Sequence, residues 1–198
     1  MDIKNLITPA NCKKIAAQYG FKIFSDRLNI WGIRTPKGEF NDYFIFFPAI
    51  DEDYLVVQGT TEPSAGYIPT IFKKGKSNPN GIAVLVSNSQ YLNCWKFGLH
   101  KGKYKALQQN GNKFLVTRHK KNEEEGYYNT KSYMDVGGLN LHTTKFGYTL
   151  NSILGFSEGC QVIWNAEVYF EDIIPLIEKY NQKTYDYTLV DSYNFEIL

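Results

Sequence analysis

The chain has 198 residues, 43% of them hydrophobic and 21% charged, with a formal net charge of +2 at neutral pH. That length fits a single domain spanning residues 1–198, and that composition supplies a packed core and excludes a disordered chain. A near-neutral balance without a concentrated basic patch gives no electrostatic case for a nucleic-acid binder.

Thr8 and Pro9, then Ala10 to Tyr19 and Gly20, read as an N-terminal helix at about 9–20. Thr8 is the cap, Pro9 fits the first turn and Gly20 fits the position just past the end. Ile15, Ala16 and Tyr19 form its expected buried stripe. From Phe21 onward the pattern changes to strands. The 15 Tyr, 13 Phe and 3 Trp favour extended backbone. Phe21 to Ile33, Tyr43 to Phe47, Tyr54 to Gln58, Gly81 to Val86, Tyr91 to Phe97 and Lys113 to Arg118 are the expected strands, separated by Gly, Pro, Asn and Asp clusters. Asp51-Glu52-Asp53, Lys73 to Gly81 and Lys120 to Gly126 read as exposed turns and loops. Lys103 to Gln109 reads as one or two helical turns. Glu167 to Tyr180 carries apolar residues at helical spacing, with Pro175 predicting a late start or a kink. Thr184 to Asp191 alternates and is the last strand. The expected fold is mainly β, a sandwich or barrel-like sheet with two peripheral helices.

No apolar run approaches the ~20 residues needed to cross a bilayer as a helix. No apolar stretch after the N-terminus resembles a Sec-type signal, so the expectation is a chain synthesised in the cytoplasm without a transmembrane segment. Cys12, Cys94 and Cys160 are odd in number and far apart, which implies no disulfide framework. No CxxC or HxxxH pairing points to zinc.

The chemistry concentrates near Cys160. A buried, inert thiol is the common fate of a free cysteine, and Cys12 and Cys94 fit it. Cys160 differs. It follows Ser157-Glu158-Gly159 and precedes the strand-like Gln161-Val162-Ile163, with His142 eighteen positions upstream. A thiol attacks as thiolate, and an imidazole is the common means of making one. In Gly138-Leu139-Asn140-Leu141-His142, the two leucines would face inward and His142 would face a cleft as a general base. Gly159 removes a side chain where a substrate carbonyl must approach and leaves two backbone N–H groups to meet an oxyanion. The Gly98 to Tyr104 loop, with His100, reads either as a carboxylate- or phosphate-binding loop or as a solvated basic turn, the latter favoured. Arg34 either pairs with Asp42 or meets a substrate carboxylate, and His119 reads as solvated.

His142, fourteen residues, then Ser157-Glu158-Gly159-Cys160 resembles the signature of the L,D-transpeptidase (YkuD-type) catalytic domain. The resemblance covers Gly137 to Ile163. Trp31 to Arg34, Phe40 to Asp42 and Gly98 to Tyr104 are similar in style to phage- and prophage-encoded relatives. The resemblance implies a cysteine acyl-transfer enzyme acting on peptidoglycan stem peptides, with no cofactor. Cys160 would be the nucleophile and His142 its base, held in tautomer by a carbonyl near Thr143. The N–H groups of Gly159 and Cys160 would form the oxyanion hole, and Ser157 would shape the loop. Apart from the resemblance, Glu158, His100 and Arg34 are candidate substrate-binding residues. Glu158 stands where the family usually has His, and Gln161 where it often has Arg or Asn nearby. Transfer, hydrolysis by a carboxypeptidase or endopeptidase, and a protein-directed cysteine peptidase stay open. So does a non-catalytic phage structural or wall-binding module. Action at the wall requires delivery by phage, virion or secretion machinery. The segment Thr143 to Phe156 is expected to cover the site.

Overall fold

The structure is a computed structural model describing residues 2–36, 40–48, 53–63, 81–119, 131–145, 153 and 157–198. Eleven strands are formed among these residues. They are β1 (Asn29–Arg34), β2 (Asp42–Phe47), β3 (Leu55–Thr60), β4 (Ile82–Leu85), β5 (Ser89–His100), β6 (Tyr104–Gln109), β7 (Phe114–His119), β8 (Tyr133–Asp135), β9 (Leu141–Thr143), β10 (Gln161–Ile163) and β11 (Tyr185–Asp191). Eight of them close a barrel in the order β1-β11-β5-β6-β9-β10-β3-β2, and β4-β7-β8 form a separate three-stranded sheet. The fold is therefore mainly β and barrel-like.

Period-two alternation builds this wall. Ile30, Phe44, Phe46, Tyr187 and Leu189 point into the main core. The residues between them, Trp31, Ile33, Ile45, Phe47 and Val190, point outward. That outer face is covered by α1 (Pro9–Tyr19), whose Cys12, Ile15 and Ala16 complete the second cluster. Thr8 Oγ1 caps α1 at Asn11 N, and Gly20 closes it with φ of +71°. Tyr19, expected in the buried stripe, is instead exposed and donates to Asn194 Oδ1.

The small sheet packs on the barrel through Phe114 and Val116, which join the main core. Phe114 meets the rings of Tyr91 and Trp95 at 5.0 and 6.2 Å. Trp95 Nε1 donates to the Leu139 carbonyl at 2.8 Å, which ties the segment after β8 to the barrel.

Three sequence expectations are corrected. Lys103 to Gln109 is not helical. It is strand β6, paired antiparallel with β5 in register His100↔Tyr104 to Trp95↔Gln109. Lys101 and Gly102, at φ of +50° and +70°, make the hairpin turn. The first strand begins at Asn29, because residues 21–28 are irregular. The helix near Pro175 does not start late, near Asp172, but at Ala166. It runs as α2 (Ala166–Val168), a π-helical turn (Tyr169–Ile173) and α3 (Ile174–Tyr180). Pro175 sits in the first turn of α3, where the missing N–H is tolerated. A last short helix, α4 (Tyr193–Glu196), follows β11. The loops expected at 73–80 and 120–126 lie outside the described residues, as do Asp51 and Glu52.

Asp42 locks the corner where β1, β2 and β3 meet. Its fully buried carboxylate accepts from Thr35 N, Thr61 N and Thr61 Oγ1, each at 2.7 Å. Replacing Asp42 with Asn puts an NH₂ group against one of those N–H donors. The expected loss is about 1–3 kcal/mol in urea unfolding, the range for an unsatisfied buried donor. An unchanged midpoint would show that this corner relaxes freely.

Candidate active site

His142 and Cys160 arrive from neighbouring parallel strands. β9 and β10 pair in register Gln161↔Leu141, Val162↔His142 and Ile163↔Thr143. Residues paired across a parallel ladder share a face, and so do residues two apart along a strand. His142 is therefore cofacial with Val162, and Cys160 continues that face one step before β10. Gln161 N donates to the Asn140 carbonyl at 2.8 Å and extends the ladder to that step. The opposite face carries Leu141 and Ile163 into the core, as the alternation around Leu139 and Leu141 predicts.

The shared face opens on a cavity of about 330 Å³ between the barrel wall and the small sheet. Cys160, His142, His100, Lys101, Arg118 and Glu158 all line it. His100 is 6% exposed and His142 3%. Their rings stack at 4.1 Å with a 26° interplanar angle. The solvated-turn reading of His100 is thus corrected. It ends β5, faces Tyr104 across the hairpin and is part of the cavity wall.

His142 has a defined tautomer. Its Nδ1 lies 2.9 Å from the Thr143 carbonyl, which can only accept, so Nδ1 carries the proton. Tyr104 OH lies 3.2 Å from the same nitrogen and donates to the Thr143 carbonyl at 3.2 Å. Nε2 is left with a lone pair, the state a general base needs. Burial holds the imidazole down at about 3, with the His100 ring and Lys101 acting in the same direction and the Thr143 carbonyl opposing. The ring is neutral at physiological pH.

Burial likewise pushes the Cys160 thiol above its ordinary value, and Glu158 adds to the rise. A backbone hydrogen bond with Asn140 and the charge of Lys101 act the other way. The resting pair is therefore thiol and imidazole rather than thiolate and imidazolium. Among the described residues, no hydrogen bond joins the two side chains. Cys160 Sγ instead contacts the Gly138 carbonyl at 3.8 Å. Burial pushes the Cys12 and Cys94 thiols far up as well, and both are enclosed in the core, in keeping with an inert role.

The loop before Cys160 is fixed from inside the barrel. Ser157 Oγ donates to the Cys160 carbonyl at 2.7 Å and accepts from Gly159 N at 3.2 Å. Gly159 has φ of +124°, and a Cβ there would lie 2.7 Å from the Ala83 carbonyl and 2.8 Å from Leu139 Cδ2. Its neighbours are β4 and Leu139, so glycine is required by the approach of the small sheet. Its N–H, expected to face an oxyanion, is occupied by Ser157. Gln161 holds the loop from below, with Nε2 donating to Thr61 O at 3.1 Å and Gly159 O at 3.4 Å. Tyr187 OH donates to Gln161 Oε1 at 2.8 Å.

Arg34 is not brought to the cavity. It donates to Thr61 Oγ1 and to the Leu85 and Thr61 carbonyls at 3.0, 2.8 and 2.9 Å, and its ion pair is with Glu62 rather than Asp42. It braces β4 against the barrel. His119 closes β7 opposite Ile82, which replaces the loop expected there. Asn140 and Arg118 line the cavity and were not singled out in the sequence, and Tyr104, read there only as part of the Gly98 to Tyr104 loop, contacts His142. Asn140 carried a usable signal, lying two positions before His142 on the same strand face. Arg118 donates to the Gly81 carbonyl at 2.6 Å and pairs with Asp135, a contact between residues 17 apart that spacing does not announce. The covering role expected of Thr143 to Phe156 falls mostly outside the described residues.

Among the described residues, no group of three or more His, Cys, Asp or Glu side chains is arranged to hold a metal ion. No helix described is long and apolar enough to cross a membrane. Comparison of the chain with protein-family models, with curated proteins and with solved structures finds no match.

The neutral burial of His142 predicts an acid-sensitive stability. Its folded value, about 3, lies below the free value of 6.5, so the unfolded chain binds the extra proton between those limits. Stability is fully present above about pH 6.5 and falls as pH drops toward 3, by about 3 kcal/mol between pH 7 and pH 4 from this group. Urea unfolding of the wild type and His142→Gln should therefore converge as pH falls. Curves that stay parallel would contradict a buried neutral imidazole.

Proposed function

We propose that the chain is a cysteine-dependent acyl-transfer enzyme of the L,D-transpeptidase type, with peptidoglycan stem peptides as substrate. The observation that carries the reading is the in-register β9–β10 pairing, which sets His142 and Cys160 on one face beside one cavity. The fixed tautomer of His142 supports it, because Nε2 is free to take a proton.

In this mechanism Cys160 Sγ attacks a stem-peptide carbonyl carbon while its proton passes to His142 Nε2. The carbonyl π electrons move to oxygen. Collapse of that tetrahedral species expels the amine, which leaves with the proton from His142, and a thioester remains on Cys160. An amine acceptor then completes transfer, or water completes hydrolysis. Because the resting pair is neutral, proton transfer and attack are concerted, and substrate must draw the thiol away from the Gly138 carbonyl. Apo catalytic contacts of this kind commonly tighten only on binding. Access to the wall through phage lysis machinery, a virion or a secretion system is part of the same proposal.

A raised thiol that contacts Gly138 rather than His142 favours a second reading, a wall-binding module that keeps the fold without turnover.

Incubation with purified muropeptides, followed by intact-mass spectrometry, separates the two. The expected result is an acyl adduct on Cys160, absent in Cys160→Ala and formed at least about 100-fold more slowly in His142→Ala, the scale of a lost general base. Cys12→Ala and Cys94→Ala should keep the adduct and lose stability at most. Muropeptide binding with neither adduct nor product would establish the binding module.

A further inference from the structure

We propose that His100 donates a hydrogen bond from Nε2–H to the oxyanion formed when Cys160 adds to an acyl carbonyl. The inference rests on the acyl-transfer reading and names a catalytic residue that the sequence motif does not contain.

The motif's own donors are one short. Gly159 N–H is engaged by Ser157 Oγ at 3.2 Å. A tetrahedral oxyanion in a buried site gains most from two or more preorganised donors.

His100 has the second donor fixed in place by a chain of hydrogen bonds. Gln109 N donates to Asn140 Oδ1 at 2.9 Å, which settles the orientation of that amide. The Asn140 NH₂ group then faces His100 Nδ1 at 3.2 Å. An NH₂ group can only donate, so His100 Nδ1 accepts and its proton resides on Nε2. The Asn140 carbonyl also accepts from Gln161 N at 2.8 Å. The residue that orients the donor is therefore tied to the strand that carries Cys160. Burial and the charge of Lys101 keep His100 neutral.

The two stacked imidazoles thus hold opposite tautomers. His142 carries its proton on Nδ1 against the Thr143 carbonyl and offers a lone pair at Nε2. His100 accepts at Nδ1 and offers N–H at Nε2. Both rings line the cavity that holds Cys160. One ring takes the thiol proton as the S–C bond forms, and the other meets the electrons displaced onto oxygen. When the C–O double bond re-forms, the leaving group departs, His142 returns its proton to it where it needs one, and His100 keeps its own.

Two probes separate this role from a structural one. p-Nitrophenyl acetate acylates a thiol through an oxyanion, whereas iodoacetamide alkylates it by direct displacement with no oxyanion. Rates on Cys160, with Cys160→Ala as background, are compared in wild type, His100→Phe and His100→Gln. His100→Phe keeps a flat ring beside His142 and loses the donor. The expected result is a fall of about 100-fold in acylation by the ester, the scale of one lost oxyanion donor, with alkylation unchanged within about twofold. His100→Gln, which keeps an N–H donor, should recover at least about tenfold of the loss. Acylation unchanged in His100→Phe would overturn the proposal. So would an equal fall with both probes, which would place the effect on the thiol or on His142. A wild-type protein that alkylates but never acylates would overturn the acyl-transfer reading itself. Circular dichroism and a urea midpoint confirm that each variant is folded. If His100→Phe does not fold, the same comparison is read from His100→Gln and Asn140→Leu, where loss of the tautomer-setting contact must slow acylation selectively.

Discussion

Three residues of β9 lie beside three of β10, and this short parallel ladder is what the site depends on. A parallel pair that short is weak by itself, with slanted bonds and little cooperativity. Its stability comes from the sides. Thr143 Oγ1 donates to the Ile163 carbonyl at 3.0 Å, and Thr144 Oγ1 donates to the Trp164 carbonyl at 2.9 Å. β3 flanks β10 on the other edge, pairing Val162↔Thr60. From inside the barrel the Gln161 amide links Tyr187, Thr61 and Gly159. Cys160, His142 and the Thr143 carbonyl therefore share one wall, and small shifts of any one are opposed by the barrel as a whole.

The electrostatics follow from that burial. Enclosing two imidazoles and a thiol without a full countercharge disfavours every ionised form, so the whole group rests neutral. Lys101 and Arg118 stand at the cavity, but Arg118 is committed to Asp135 and the Gly81 carbonyl. Neutral rings can stack at 4.1 Å, whereas two imidazolium ions could not.

The fold was legible where alternation is strong. β2, β4 and β11 are dense in aromatic and β-branched residues, and they fall within a residue or two of their expected bounds. β6 was not legible, because Lys105-Ala106-Leu107-Gln108-Gln109 consists of good helix formers. Pairing with β5 and burial of Ala106 and Leu107 outweigh that preference. At the site, His142 and Cys160 were legible because local sequence carries their spacing and their strand faces. His100 and Tyr104 were legible as residues but not as neighbours of His142. The hairpin turn at Lys101-Gly102 brings them there, and it emerges only once β6 is recognised as a strand. Arg34 was misplaced for a related reason, since its partners Thr61 and Leu85 are distant in sequence and spacing gives no hint of them.

The barrel closes through β11, which lies parallel to β1 and antiparallel to β5. Trp31 aligns with Thr188, about four-fifths of the chain away. During synthesis, β1 and β5 emerge from the ribosome long before the strand that separates them. Each must then wait with an open edge, and the cavity wall cannot be completed until residues 185–191 arrive. Closure between such distant segments is slow, and open edges pair readily with other chains. The same topology that makes the finished wall rigid leaves the growing chain most exposed to misassembly just before its last strand is made.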